Sequence, residues 1–260
     1  MDKRCLGFLL VVILCTVVST AQTAPPSDPQ AVALADQAVA AMTGGAPVTD
    51  ATLAGTAVWT AGSDQQTGTA TLMAKGSAES RVDLNLSGGA RSEIRNVNGN
   101  LNEGNWIGVD GAVHAIALHN CLTDASWFFP ALGTLATAGR NSNLVFTYMG
   151  LESLGQTSLQ HIHAYTYDAQ FSEAQQLSAM DFYLDPQTLR PRIVTFSEHP
   201  DNNGSVNIPV QVMFSDYRNV DGTSIPFRIQ RYVNNGLMLD VRITSAKMNS
   251  GIADSSFIVQ

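Results

Sequence analysis

The sequence predicts an α+β protein in which a long antiparallel meander carries two helical segments. Three observations lead there. In residues 206–245, Val206, Ile208, Val210, Val212 and Phe214 alternate with Asn207, Pro209, Gln211, Met213 and Ser215, the period of a strand with one buried face. Asp221-Gly222 and Asn234-Asn235-Gly236 then supply two tight turns, between which Ile225, Phe227 and Ile229 alternate, and after which Leu237, Leu239, Val241 and Ile243 do the same. Helical patterning, by contrast, is confined to the start and the middle of the chain. Meanders of this length with one buried face end in a barrel, a sandwich or a curved sheet.

The elements follow in order. Lys3 and Arg4 precede an apolar run from Leu6 to Val18, and Ser19 and Ala21 occupy the small-residue positions of a cleavage site. Residues 1–21 are therefore expected to be a signal peptide, and the product a soluble exported protein. Bulky Ile13 and Leu14 ahead of Cys15 argue against lipidation. Cleavage would remove Cys5 and Cys15, leaving Cys121 with no intramolecular partner. Residues 22–28 are expected to be a flexible mature N-terminus, and 29–260 a single domain held by its own core. A net charge of −8 excludes nucleic acid and electrostatic adhesion to anionic lipid as leading roles.

Asp28 as N-cap, Pro29 at the first helical position and Gly44-Gly45 as a stop predict a helix ending near Met42, with Leu34, Ala38, Ala41 and Met42 on its apolar face. Strands are expected near 52–60, 67–75, 80–87 and 91–97, with a short one at Trp106-Ile107. Leu118 to Gly139 reads as a helix or broken helix crowded with Trp127, Phe128, Phe129, Leu132 and Leu135. Further strands are expected near 143–153, 157–167, 180–185 and 191–199, with a short helical turn around 172–179.

An apolar strand, then Phe214-x-x-Tyr217-Arg218-x-Val220-Asp221-Gly222, then Ile225-Pro226 and another strand, resembles the C-terminal half of the periplasmic LolA-like lipoprotein-sorting proteins. The resemblance implies an incomplete β-barrel, a strongly curved antiparallel sheet with helices plugging its concave face, that shelters acyl chains. It also implies residues 118–139 as a lid, with Trp127, Phe128 and Leu132 facing a cavity walled by Val210, Val212, Phe214, Phe227 and Val241. The motif is confined to residues 210–229. The Arg-Pro pair that such carriers often show is absent from the strands near 75–86, so no ligand-contacting arginine is carried over.

Little else carries chemistry. His161 and His163 share one strand face with Leu159, Tyr165 and Tyr167, a spacing that can supply two ligands to a transition metal. No third ligand is named by the sequence, so no metal site and no cofactor are assigned. Cys121 has His119 nearby, but two residues apart on a helix they diverge. Gly-x-Ser-x-Gly, His-Glu-x-x-His, Walker A and Gly-x-Gly-x-x-Gly patterns are all absent. The Trp127-Phe128-Phe129-Pro130 cluster suits either a filled core or a movable apolar lid. The expectation is thus a non-enzymatic carrier of a lipid or lipoprotein acyl chain, periplasmic or secreted, working with membrane-associated donor and acceptor proteins. The alternative is a protein–protein or sensory module on the same scaffold, with a filled core and a partner at a sheet edge.

Overall fold

The computed structural model describes residues 23–99, 101–155 and 157–259; the expected signal peptide and cleavage site lie outside the described residues. Helix α1 (Pro29–Thr43) starts where Asp28 accepts a hydrogen bond from the Gln30 amide at 2.8 Å, and ends at Gly44 in the left-handed conformation. Its buried stripe is Ala31, Ala35, Ala38 and Met42. Leu34 and Ala41 flank that stripe. Small side chains along the seam bring the helix axis close to what it packs on.

Thirteen strands form among the described residues. They are β1 (Asp50–Ala61), β2 (Asp64–Lys75), β3 (Glu79–Leu86), β4 (Gly89–Asn98), β5 (Leu101–Ile107), β6 (Val113–Ala115) and β7 (Leu144–Leu154). After them come β8 (Thr157–Thr166), the one-turn helix α2 (Ala174–Leu177), β9 (Met180–Leu184), β10 (Pro191–Glu198), β11 (Ile208–Val220), β12 (Thr223–Val233) and β13 (Gly236–Met248). All belong to one antiparallel sheet in the order β6-β5-β4-β3-β2-β1-β13-β12-β11-β10-β9-β8-β7. Two meanders are therefore joined at the middle by β1 and β13, and the sheet does not close on itself. No helix among the described residues is long and apolar enough to cross a membrane.

The meander at the C-terminal end follows its alternation. Phe214 lies opposite Ile229, and Ile229 opposite Val241, so Val210, Val212, Phe214, Phe227 and Val241 share one face. All five are buried in the core. Val206 does not join them: it precedes β11 in a bend and is exposed. Asp221 (φ 50°) and Gly222 (φ 86°) form the β11–β12 turn with two consecutive left-handed residues, as the Asp-Gly pair requires.

The sheet is strongly curved, and one contact measures the curvature. Glu93 on β4 and Arg231 on β12 are separated by four intervening strands, or about 24 Å in a flat sheet at ~4.8 Å per strand. Their carboxylate and guanidinium groups nevertheless stand 3.6 Å apart, across the hollow of an incomplete barrel. Glycine assists where strands bend. At Gly55 the β1–β13 register shifts, and a Cβ there would lie 2.0 Å from the Arg242 carbonyl oxygen.

The concave face is covered by α1 and by residues 118–139. Those residues form no α-helix, which corrects the sequence expectation. Two short 3₁₀ turns, Leu118–Cys121 and Thr134–Thr137, bracket a series of reverse turns. Pro130 has no N–H to give a helix, and a Cβ at Gly133 would collide with the Asp124 carboxylate at 2.1 Å. The apolar side chains of this cover, Trp127, Phe128, Phe129, Leu132 and Leu135, are all buried in the core.

Candidate functional site

Cross-strand pairing lays one row of side chains across the concave face: Trp59, Leu239, Arg231, Val212, Val194, Phe182 and Ile162. Arg231 is the one charged member. On the far wall, Arg91, Glu93 and Arg95 of β4 lie opposite Leu84, Val82 and Ser80 of β3, and so point into the same hollow. Where these walls meet the cover there is a cavity of about 330 Å³. Trp59, Val82, Leu84, Arg91, Glu93, Trp106, Ile107, Trp127, Arg231 and Leu239 line it, together with Ser92, Gly108 and Met238. Trp106 is 44% exposed and stacks on His114, with ring centroids 4.0 Å apart, whereas Trp127 is 2% exposed. The wall therefore grades from a wet mouth to a dry floor.

The polar floor is an interlocked set of ion pairs. Glu93 accepts from Arg95 Nε at 3.0 Å and faces Arg231 Nη1, while Arg231 Nη2 donates to Glu198. Burial alone would raise the Glu93 carboxyl, but Arg95 and Arg231 outweigh it and hold it below the usual carboxylate range. Arg231 also sits over the Trp127 ring at 4.8 Å, and Arg91 over Trp59 at 4.2 Å. Three guanidinium groups thus meet two carboxylates. Arg91 is the unmatched one: its side chain donates to Gln66 Oε1 at 2.9 Å and has no carboxylate partner among the described residues.

The cover is tied down at its start. Arg95 Nη1 donates to the Asn120 carbonyl at 2.9 Å, and Asn120 exchanges two hydrogen bonds with the His199 backbone at 2.8 and 2.9 Å. Further along, the Thr134 amide and hydroxyl donate to Asp124 at 2.9 and 2.6 Å, bridging two turns of the cover. Burial pushes the Asp124 carboxyl up despite those bonds.

Of the residues read from the sequence as lid and wall, Trp127 lines this cavity. Phe128, Leu132, Val212, Phe227 and Val241 are packed into the core, and Val210 and Phe214 border other, smaller or more polar clefts. Sequence reasoning missed Arg91, Glu93, Arg95 and Arg231. Alternation could have found Arg231, two residues beyond Ile229, but on β4 the apolar Ile94 is out of phase with Arg91, Glu93 and Arg95. Ile94 is buried on the outer side, where a C-terminal 3₁₀ turn (Asp254–Phe257) packs against β3 and β4.

His161 and His163 lie on the convex face, since neighbouring Ile162 and Ala164 belong to the core. Asp181 accepts from His161 Nε2 and His163 Nδ1, each at 2.8 Å, and His161 Nδ1 faces Glu152 at 2.8 Å. No group of three or more His, Cys, Asp or Glu side chains among the described residues is placed to hold a metal. Cys121 is buried, and burial pushes its thiol up, away from the reactive thiolate.

No family model and no curated protein matches the sequence. Solved structures do match the fold. An outer membrane lipoprotein-sorting protein domain from Vibrio parahaemolyticus aligns with TM-score 0.57 and 11% identity over 88% of this chain and 96% of that one. A DUF1329 family protein from Desulfovibrio piger gives 0.55 and 13% over 89% and 98%. A LolA superfamily protein from Nitrosomonas europaea gives 0.51 and 11% over 92% and 99%. With its unclosed, strongly curved sheet and covered concave face, the chain has the fold of the LolA superfamily.

Proposed function

We propose that this protein is an exported, non-enzymatic binder or carrier of a hydrophobic group, a lipid or lipoprotein acyl chain, in the hollow of its incomplete barrel. The observation that carries the reading is the cavity between Trp127 of the cover and the walls of β1, β3, β4 and β13. Its apolar wall desolvates the ligand, while the acidic exterior keeps the complex dispersed in transit. A cover built of turns rather than a continuous helix has fewer backbone hydrogen bonds to break when it yields. A fold neighbour described as an outer membrane lipoprotein-sorting protein domain supports this reading and a periplasmic site of action. Membrane-associated donor and acceptor proteins complete the proposal.

A second reading has its own observation. Much of the concave face is already filled, with Phe128, Phe129, Phe146 and Phe182 fully buried, and the edge strand β7 exposes Met149 and Leu151. That suits an interaction module that docks a partner at the sheet edge. Mass spectrometry of organic extracts from natively purified protein separates the two, together with titration of a fluorescent fatty-acyl probe. A carrier yields a co-purifying lipid or saturable probe binding. Absence of both favours the interaction module and removes the carrier.

A further inference from the structure

All three tryptophans of the chain line the one cavity. Two side chains there hold buried N–H donors with no acceptor among the described residues: Trp127 Nε1 and Arg231 Nε, on residues 2% and 4% exposed. The guanidinium lies 4.8 Å from the indole ring centroid, so both donors belong to one small region of the wall. A pure hydrocarbon entering this space leaves them unmet. A head group that brings two acceptor oxygens, one for each donor, can meet them.

Charge narrows the class of head group. Glu93 and Glu198 neutralise two of the three guanidinium groups, and Arg91 leaves the region one positive charge in excess, within a chain of net charge −8. A cationic head meets repulsion there and a neutral one forgoes the attraction. At about 330 Å³ the space lies at the small end of ligand pockets, roughly 300–1,000 Å³, and suits one chain rather than several. We propose that this cavity selects a single-chain amphiphile with a carboxylate head, received by Trp127, Arg231 and Arg91, with its tail against Val82, Leu84, Ile107 and Leu239. This selectivity rests on the binder reading above and adds the head-group chemistry to it.

The test uses the tryptophans as reporters. The purified protein is titrated with sodium dodecanoate, dodecanol and dodecyltrimethylammonium, each below its micelle-forming concentration, while indole emission is followed. Dodecanoate is expected to bind at least tenfold more tightly than dodecanol, with the ammonium weakest. Trp127→Phe keeps an aromatic ring and deletes the donor; Arg91→Gln deletes the unmatched charge from a half-buried side chain. Each should reduce the dodecanoate preference several-fold while circular dichroism stays unchanged, and Arg91→Gln alone decides if Trp127→Phe unfolds. Equal affinity for dodecanoate and dodecanol, or a preference that survives both substitutions, overturns carboxylate selection and leaves the binder reading standing. No saturable binding of any of the three overturns both.

Discussion

Arg231 is a cation buried in an otherwise apolar row, and its stability depends on Glu93 and Glu198 meeting it there. Arg231→Met should cost about 3–5 kcal/mol at neutral pH, because it strands Glu198 and leaves Glu93 with Arg95 alone rather than because the pairs themselves are strong. Denaturant unfolding checks this, and the loss should shrink in acid as these carboxylates protonate. A separate acid limb comes from the convex face. Burial acts to raise Asp181, but hydrogen bonds from His163 and His161 outweigh it and hold the carboxyl below its ordinary 3.8. Its contribution is complete above the unfolded value and is lost as pH falls through the lower folded one. Asp181→Asn should therefore flatten the decline in unfolding free energy below about pH 4. Constancy of that decline in the variant would contradict the assignment. The pairing of His161 with His163 on one face was legible from period two. Their carboxylate partners were not, because Asp181 and Glu152 reach them through neighbouring strands whose register no local pattern specifies.

Among the elements, the cover departs furthest from what its composition suggests. Apolar residues crowd residues 118–139 in a spacing compatible with helix, yet Pro130 and the close approach of Gly133 to Asp124 divide it into turns. Burial was legible there and backbone form was not, since the Asp124–Thr134 bridge that organises the turns is a tertiary choice. Phe128 is fully buried, so Phe128→Ala should lower stability by about 3–5 kcal/mol in a thermal or denaturant melt. A loss below about 1 kcal/mol would mean that the cover relaxes freely over the space beneath it. Helix α1 was legible from its cap, its proline and its terminal glycine. Its seam of alanines was less so, because alanine patterns weakly against a background of other small residues.

For the whole molecule, antiparallel order within each half follows from local turns, and that much could be read from Asp221-Gly222 and its counterparts. The junction could not: β1 and β13 come from opposite ends of the sequence and pair directly, a choice that no local turn specifies. Gly55 sits at the bend in that junction, and Gly55→Ala should cost about 2–4 kcal/mol as the strands separate to admit a methyl group. Equilibrium unfolding in urea measures it, and a neutral substitution would show that the strands part there more easily than the close approach of the Arg242 carbonyl implies. The same junction also sets an order in time. The middle of the sheet stays split, with one long edge of β1 open, until the last strand has been delivered. Contacts of such sequence separation form slowly. A chain emerging N-terminus first would thus remain pliable through most of its length, and would lock only when β13 had arrived.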